Sequence, residues 1–73
     1  MEALIAQIER VWPKCDWSVS RRSDGQFIGS VTNGATIGTK QFAEGLAEAS
    51  DPADALDKAF RIALHRAALT DHS

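Results

Sequence analysis

Residues 15–32 read CDWSVSRRSDGQFIGSVT, and the architecture turns on them. Cys15, Trp17 and Val19 alternate with Asp16, Ser18 and Ser20, and that period of two is the mark of a strand with one buried face. Asp24-Gly25 interrupts the pattern with a hairpin turn signal. Alternation resumes beyond it: Phe27, Gly29 and Val31 fall on one face and Ile28, Ser30 and Thr32 on the other. The stretch predicts two antiparallel strands, 15–22 and 26–32, with one mostly polar outer face.

On the C-terminal side, Asn33-Gly34 is a second hairpin signal of the kind that needs positive φ at both turn positions. It predicts a short returning strand over 35–39, in which Ala35, Ile37 and Thr39 alternate with Thr36 and Gly38. The period then changes. Phe42, Leu46 and Ala49 are spaced by four and three, which predicts a short helix over 40–49, weakened by Gly45.

Helices flank this meander. Leu4, Ile5, Ile8, Val11 and Trp12 form one apolar stripe and predict a helix over 2–12, closed by Pro13. Asp51 and Pro52 suit the N-cap and first position of a last helix, 52–69, with Asp54 placed for a capping box. Leu56, Ala59, Phe60, Ala63, Leu64, Ala67 and Ala68 form its stripe, and its alanines allow a close approach to a partner. The expected fold is α+β: one domain, 1–73, with a three-stranded antiparallel meander covered on one face by the N- and C-terminal helices (α-β-β-β-α-α). Its expected core is Leu4, Ile8, Val11, Trp17, Val19, Phe27, Val31, Ile37, Leu46, Leu56, Phe60 and Leu64.

Size and charge narrow the functions. A 73-residue chain buries only about 60% of the surface that it exposes when unfolded. With Cys15 the single cysteine, no internal disulfide supplements that core, so a homodimer is expected as a source of further burial. A net charge of −2 argues against a general nucleic-acid binder, which carries a basic excess. No run of about 18 apolar residues is present to cross a membrane. Met1-Glu2-Ala3-Leu4 offers no basic region ahead of an apolar stretch, so no secretory leader is expected and the cytoplasm is the expected compartment.

Motifs for chemistry are sparse. None of the glycines sits in a phosphate-cradling loop between a strand and a helix. Cys15, His65 and His72 lack the paired spacing of metal ligands. For an enzyme, Asp16, Cys15 and His65 are the first polar groups to consider, yet Cys15 reads better as a small buried thiol. No catalytic residue, metal, cofactor or small-molecule ligand is therefore expected. Two charged groups remain. Glu44, Glu48, Asp51, Asp54 and Asp57 make an acidic run that reads either as a solvated helical face or as a docking surface for a protein with a basic surface. Lys14, Arg21 and Arg22 are the nearest approach to a basic patch for nucleic acid. A helix–three strands–helix order is similar to double-stranded RNA-binding domains, but Asp51, Asp54 and Asp57 stand where those domains have a lysine-rich helix start.

The hairpin PKCDWSVSRRSDGQF and the last helix DPADALDKAFRIALHRAAL carry one further likeness. Through Pro13, Asp16, Trp17, Pro52, Ala53, Ala55, Leu56 and Ala59, the chain resembles small phage and prophage helix–sheet–helix proteins of the ABA-sandwich kind. It departs from them in the added segment 40–50. The resemblance implies a phage or mobile-element origin and no catalytic residue. The expected function is a non-enzymatic protein-interaction module, in the form of an inhibitor of a host defence or nucleic-acid-processing complex such as an anti-CRISPR. The alternatives are a structural or assembly protein, a nucleic-acid-binding domain and, last, a small enzyme.

Overall fold

The computed structural model describes residues 1–71. Its element order is α1 (Glu2–Val11), β1 (Asp16–Arg21), β2 (Phe27–Thr32), β3 (Glu44–Ala49) and α2 (Pro52–Asp71). The three strands form one antiparallel sheet in the order β1-β2-β3. This is the α+β class and the α-β-β-β-α order that the sequence predicts, with two helices rather than three.

Both differences lie between Asn33 and Ala49. The predicted strand 35–39 is a loop, and the predicted helix 40–49 holds the third strand instead. Asn33 does not adopt positive φ; among the described residues only Gly25, Gly34 and Gly38 do. Asn33-Gly34 is therefore not the two-residue turn that its sequence suggests. The Asn33 carboxamide instead closes a longer loop. Its oxygen accepts the N–H groups of Ala35 and Ala43 at 3.1 and 3.2 Å, and its nitrogen donates to the Gln41 carbonyl. The Asn33 N–H also donates to the Ala43 carbonyl. Inside the loop, the Thr39 N–H and hydroxyl both donate to the Thr36 carbonyl.

β3 is made of residues that favour a helix in isolation, namely Glu44, Leu46, Ala47, Glu48 and Ala49. Packing overrides that preference. Gly45, Ala47 and Ala49 turn toward α2, and their small size lets the helix lie on the strand. A β-carbon on Gly45 would collide with the Ala59 carbonyl, and one on Gly29 would come within 2.5 Å of the Ala55 carbonyl carbon and 2.7 Å of the Leu56 nitrogen. Close helix–sheet approach thus runs through two glycines on adjacent strands.

The remaining boundaries have local causes. Trp12 leaves the helical region at φ −130°, ψ 93°, ahead of Pro13, while its N–H still donates to Ile8. The β1–β2 turn is a three-residue loop closed by the Arg22 N–H on the Gln26 carbonyl, with Gly25 at φ +87°. Asp51 opens α2 as expected: its carboxylate accepts the Asp54 N–H at 3.2 Å and its carbonyl the Ala55 N–H at 3.0 Å.

Both helices pack on one layer of core. Ile8, Val31, Leu56, Ala59, Phe60 and Ala63 form it, with Leu4, Ile5, Trp12, Cys15, Val19 and Ala47 around them. Trp12 meets Phe60 edge to face, with ring centroids 5.6 Å apart. Of the expected core, Val11, Trp17, Ile37, Leu46 and Leu64 are exposed instead. Ile37 is on the loop that replaces the predicted strand, and Leu46 is on the far face of β3. Small side chains take up the difference: Ala43, Ala49, Ala55, Ala59 and Ala63 are all buried.

Candidate functional site

Alternation along the strands divides the sheet. Because Gly29 and Gly45 face α2, their even-numbered neighbours on β2 and β3 face the other way. The register sets three cross-strand rows on that second face: Asp16, Thr32 and Glu44; Ser18, Ser30 and Leu46; Ser20, Ile28 and Glu48. None of these nine residues is buried. α2 packs across the opposite face and α1 joins the same core beside α2 through Ile8, so the sheet has one covered and one open side.

The open side has a definite chemistry. Leu46 is 57% exposed, and Ile28 is its diagonal neighbour on β2, about 7–8 Å away between α-carbons in such a pairing. Serines 18, 20 and 30 surround this apolar pair with short side chains, leaving it shallow and accessible. Asp16 and Glu44 lie at one end and Glu48 at the other. Arg22, which continues the even-numbered side of β1, donates to Glu48 and lies 3.8 Å from Asp24. An apolar centre in a predominantly acidic frame can receive a partner that brings positive charge and an apolar side chain.

The acidic residues predicted to share one helical face are divided by the fold. Glu44 and Glu48 belong to the open sheet face. Asp51 caps α2, Asp54 is exposed in its first turn, and Asp57 pairs with Arg61 at 3.1 Å. The correction follows from β3 being a strand: residues four apart on a strand are about 13 Å apart along it, so Glu44, Glu48 and the helical carboxylates form no single stripe.

The basic residues are divided too. Lys14 precedes β1, and Arg21 and Arg22 stand at its other end. The Lys14 backbone is fixed against Gly34, where a β-carbon would collide with it. Arg22 is held by Glu48 and Asp24, so the three cations do not assemble into a track. Cys15 packs against the core, whereas Asp16 points to the open side and His65 is exposed on α2. Burial pushes the Cys15 thiol up from its ordinary value, and Glu9 and Asp16 add to that shift, all of which disfavours the thiolate. His72 lies outside the described residues. Among the described residues there is no enclosed pocket, no cluster of three metal-ligating side chains, and no helix long and apolar enough to cross a membrane.

Sequence reading missed Leu46 as a surface residue because its neighbours fit a helical stripe. The available signal was the second pattern in the same segment, in which Gly45, Ala47 and Ala49 alternate with Glu44, Leu46 and Glu48. No family model, curated protein or solved structure matches this chain.

Proposed function

We propose that the protein is a non-enzymatic interaction module that docks a partner on the open face of its sheet. The observation that carries this reading is Leu46, more than half exposed beside Ile28, inside a frame of Asp16, Glu44 and Glu48. A partner suited to this face presents positive charge around an apolar side chain. Complementary charge speeds the encounter and rejects acidic competitors, while the apolar contact supplies affinity. Inhibition of a host nucleic-acid-handling complex, the narrower role implied by the resemblance to phage proteins, would use this same face to occupy a basic groove.

The test is site-directed photo-cross-linking in the producing cell. A photoreactive residue at Ser30, paired with Leu46 across the sheet, samples the face. One at Arg61, exposed on α2, is the control. Discrete adducts at Ser30, lost with Leu46→Asp and weakened by salt, are expected. Adducts equal at both positions, or none at Ser30, would overturn the reading.

A further inference from the structure

The loop between β2 and β3 is built like a ligand for the open face. Residues 34–42 are closed at their neck by Asn33, which bonds Ala35, Gln41 and Ala43. Compact surface loops with joined ends hold their tips in place and often carry function. Ile37 is 81% exposed, the highest value of any large apolar side chain described. The turn behind it is held by the Thr36–Thr39 hydrogen bonds. Lys40, three residues on, is the only charged residue in the loop. It has no ion-pair partner among the described residues.

The open face calls for an apolar side chain accompanied by positive charge, and this loop presents that pair. Ile37 is a branched apolar knob and Lys40 a cation. The face offers Ile28 and Leu46 as a shallow apolar seat, with Asp16 and Glu44 as acidic neighbours. Within one molecule both apolar groups are left open to solvent, Ile37 at 81% and Leu46 at 57% exposure. Direct stacking of two open faces would bring together the carboxylates of Asp16 and Glu44, which among the described residues have no such cation as Arg22 supplies to Glu48. Seating the loop on the face replaces that repulsion with Lys40 against carboxylate.

Resting on the reading that the open face is a docking surface, we propose that its partner is a second copy of this chain. Each copy places Ile37 over Ile28 and Leu46 of the other and Lys40 near Glu44 and Asp16. A two-fold arrangement uses each surface twice and closes the assembly. It also adds burial to a chain whose size limits its own core.

Sedimentation equilibrium of the full chain is the test. The parent should reach twice the 7.9 kDa monomer mass at high micromolar concentration. Ile37→Ser and Leu46→Ser should each weaken association by about tenfold or more, as expected for an anchor residue. Both variants should melt like the parent at low concentration, because neither side chain is in the core. Lys40→Glu should also weaken the dimer, and adding Glu44→Lys to it should restore association. A parent that stays at monomer mass to millimolar concentration would overturn the proposal. A dimer indifferent to both serine changes, or an open-ended series of larger species, would do the same. The Ser30 cross-link separates the two readings. A monomeric parent with Ser30 adducts to a different protein removes the second copy and keeps the docking face, whereas a monomeric parent with no adduct removes both.

Discussion

The β-carbon that Gly45 lacks would stand where the Ala59 carbonyl group lies, and 2.7 Å from the Ala63 nitrogen. β3 and α2 therefore touch backbone to backbone, and no side chain fits between them. Gly45→Ala must push the helix off the sheet or distort the strand. A domain of this size has only about 3–5 kcal/mol of core stability to lose, so this variant should be unfolded at room temperature. Gly25→Ala is the control. Open space surrounds that position, and the cost is confined to holding alanine at positive φ, about 1–2 kcal/mol. Far-ultraviolet circular dichroism with urea titration distinguishes them, and a cooperative Gly45→Ala transition near the parent's would refute the close contact.

Phe60 and Leu46 should behave oppositely under truncation. Phe60 is 2% exposed and meets Trp12 edge to face. Its replacement by alanine leaves a cavity and should cost about 3–5 kcal/mol. Leu46→Ala, at an exposed position, should change monomer stability by no more than about 0.5 kcal/mol. Thermal melts at low protein concentration check both. Similar losses from the two variants would return Leu46 to the core and remove the open face.

Asn33 should control the order of the β2–β3 loop. In Asn33→Ala the N–H groups of Ala35 and Ala43 lose their side-chain acceptor, although Asn33 N–H can still reach the Ala43 carbonyl. A loss of about 1–2 kcal/mol is expected for a part-buried pair of bonds, with faster amide exchange over residues 34–43. Asn33→Asp keeps the acceptor for Ala35 and Ala43 but sets an oxygen against the Gln41 carbonyl in place of the donor, so the two amides should stay protected while the loop still loses stability. Hydrogen exchange read residue by residue is the measurement, and unchanged exchange at Ala35 and Ala43 in Asn33→Ala would count against the neck.

Cys15 should make stability depend on alkaline pH. Burial and the nearby carboxylates of Glu9 and Asp16 raise its folded-state pKa, so the unfolded chain releases the thiol proton first. The stabilisation is complete below the unfolded thiol's value of about 8.5 and declines as pH rises above it, levelling off beyond the folded value. The urea midpoint should fall between pH 7 and pH 9.5 in the parent and fall less in Cys15→Ala. Alkylation of the folded protein should likewise need a higher pH than alkylation of the unfolded chain. Parallel pH profiles for parent and variant would contradict the shift.

Elements with a single local pattern were legible in the sequence. Alternation from Cys15 to Thr32 specified β1, β2 and their turn. The stripes around Ile8 and Phe60, with Pro13 and Asp51-Pro52 as boundaries, specified both helices to within two residues. Residues 33–49 carried two patterns at once. Phe42, Leu46 and Ala49 fit a helix as well as Gly45, Ala47 and Ala49 fit a strand, and local propensity favoured the helix.

The sequence by itself determined the α+β class, the helix–strand–strand opening and the N-cap of α2, because each rests on contacts between near neighbours along the chain. The tertiary structure alone decided that 44–49 is a strand, since only the backbone of α2 against Gly29 and Gly45 makes small side chains the inward face. That choice also fixed the open face. It set Leu46 beside Ile28, separated Glu44 and Glu48 from the helical carboxylates, and turned 34–42 into a loop with Ile37 at its surface. Register between strands joins residues far apart in sequence, and a one-residue slip exchanges the two faces. The candidate surface is therefore a product of pairing, which no single segment encodes.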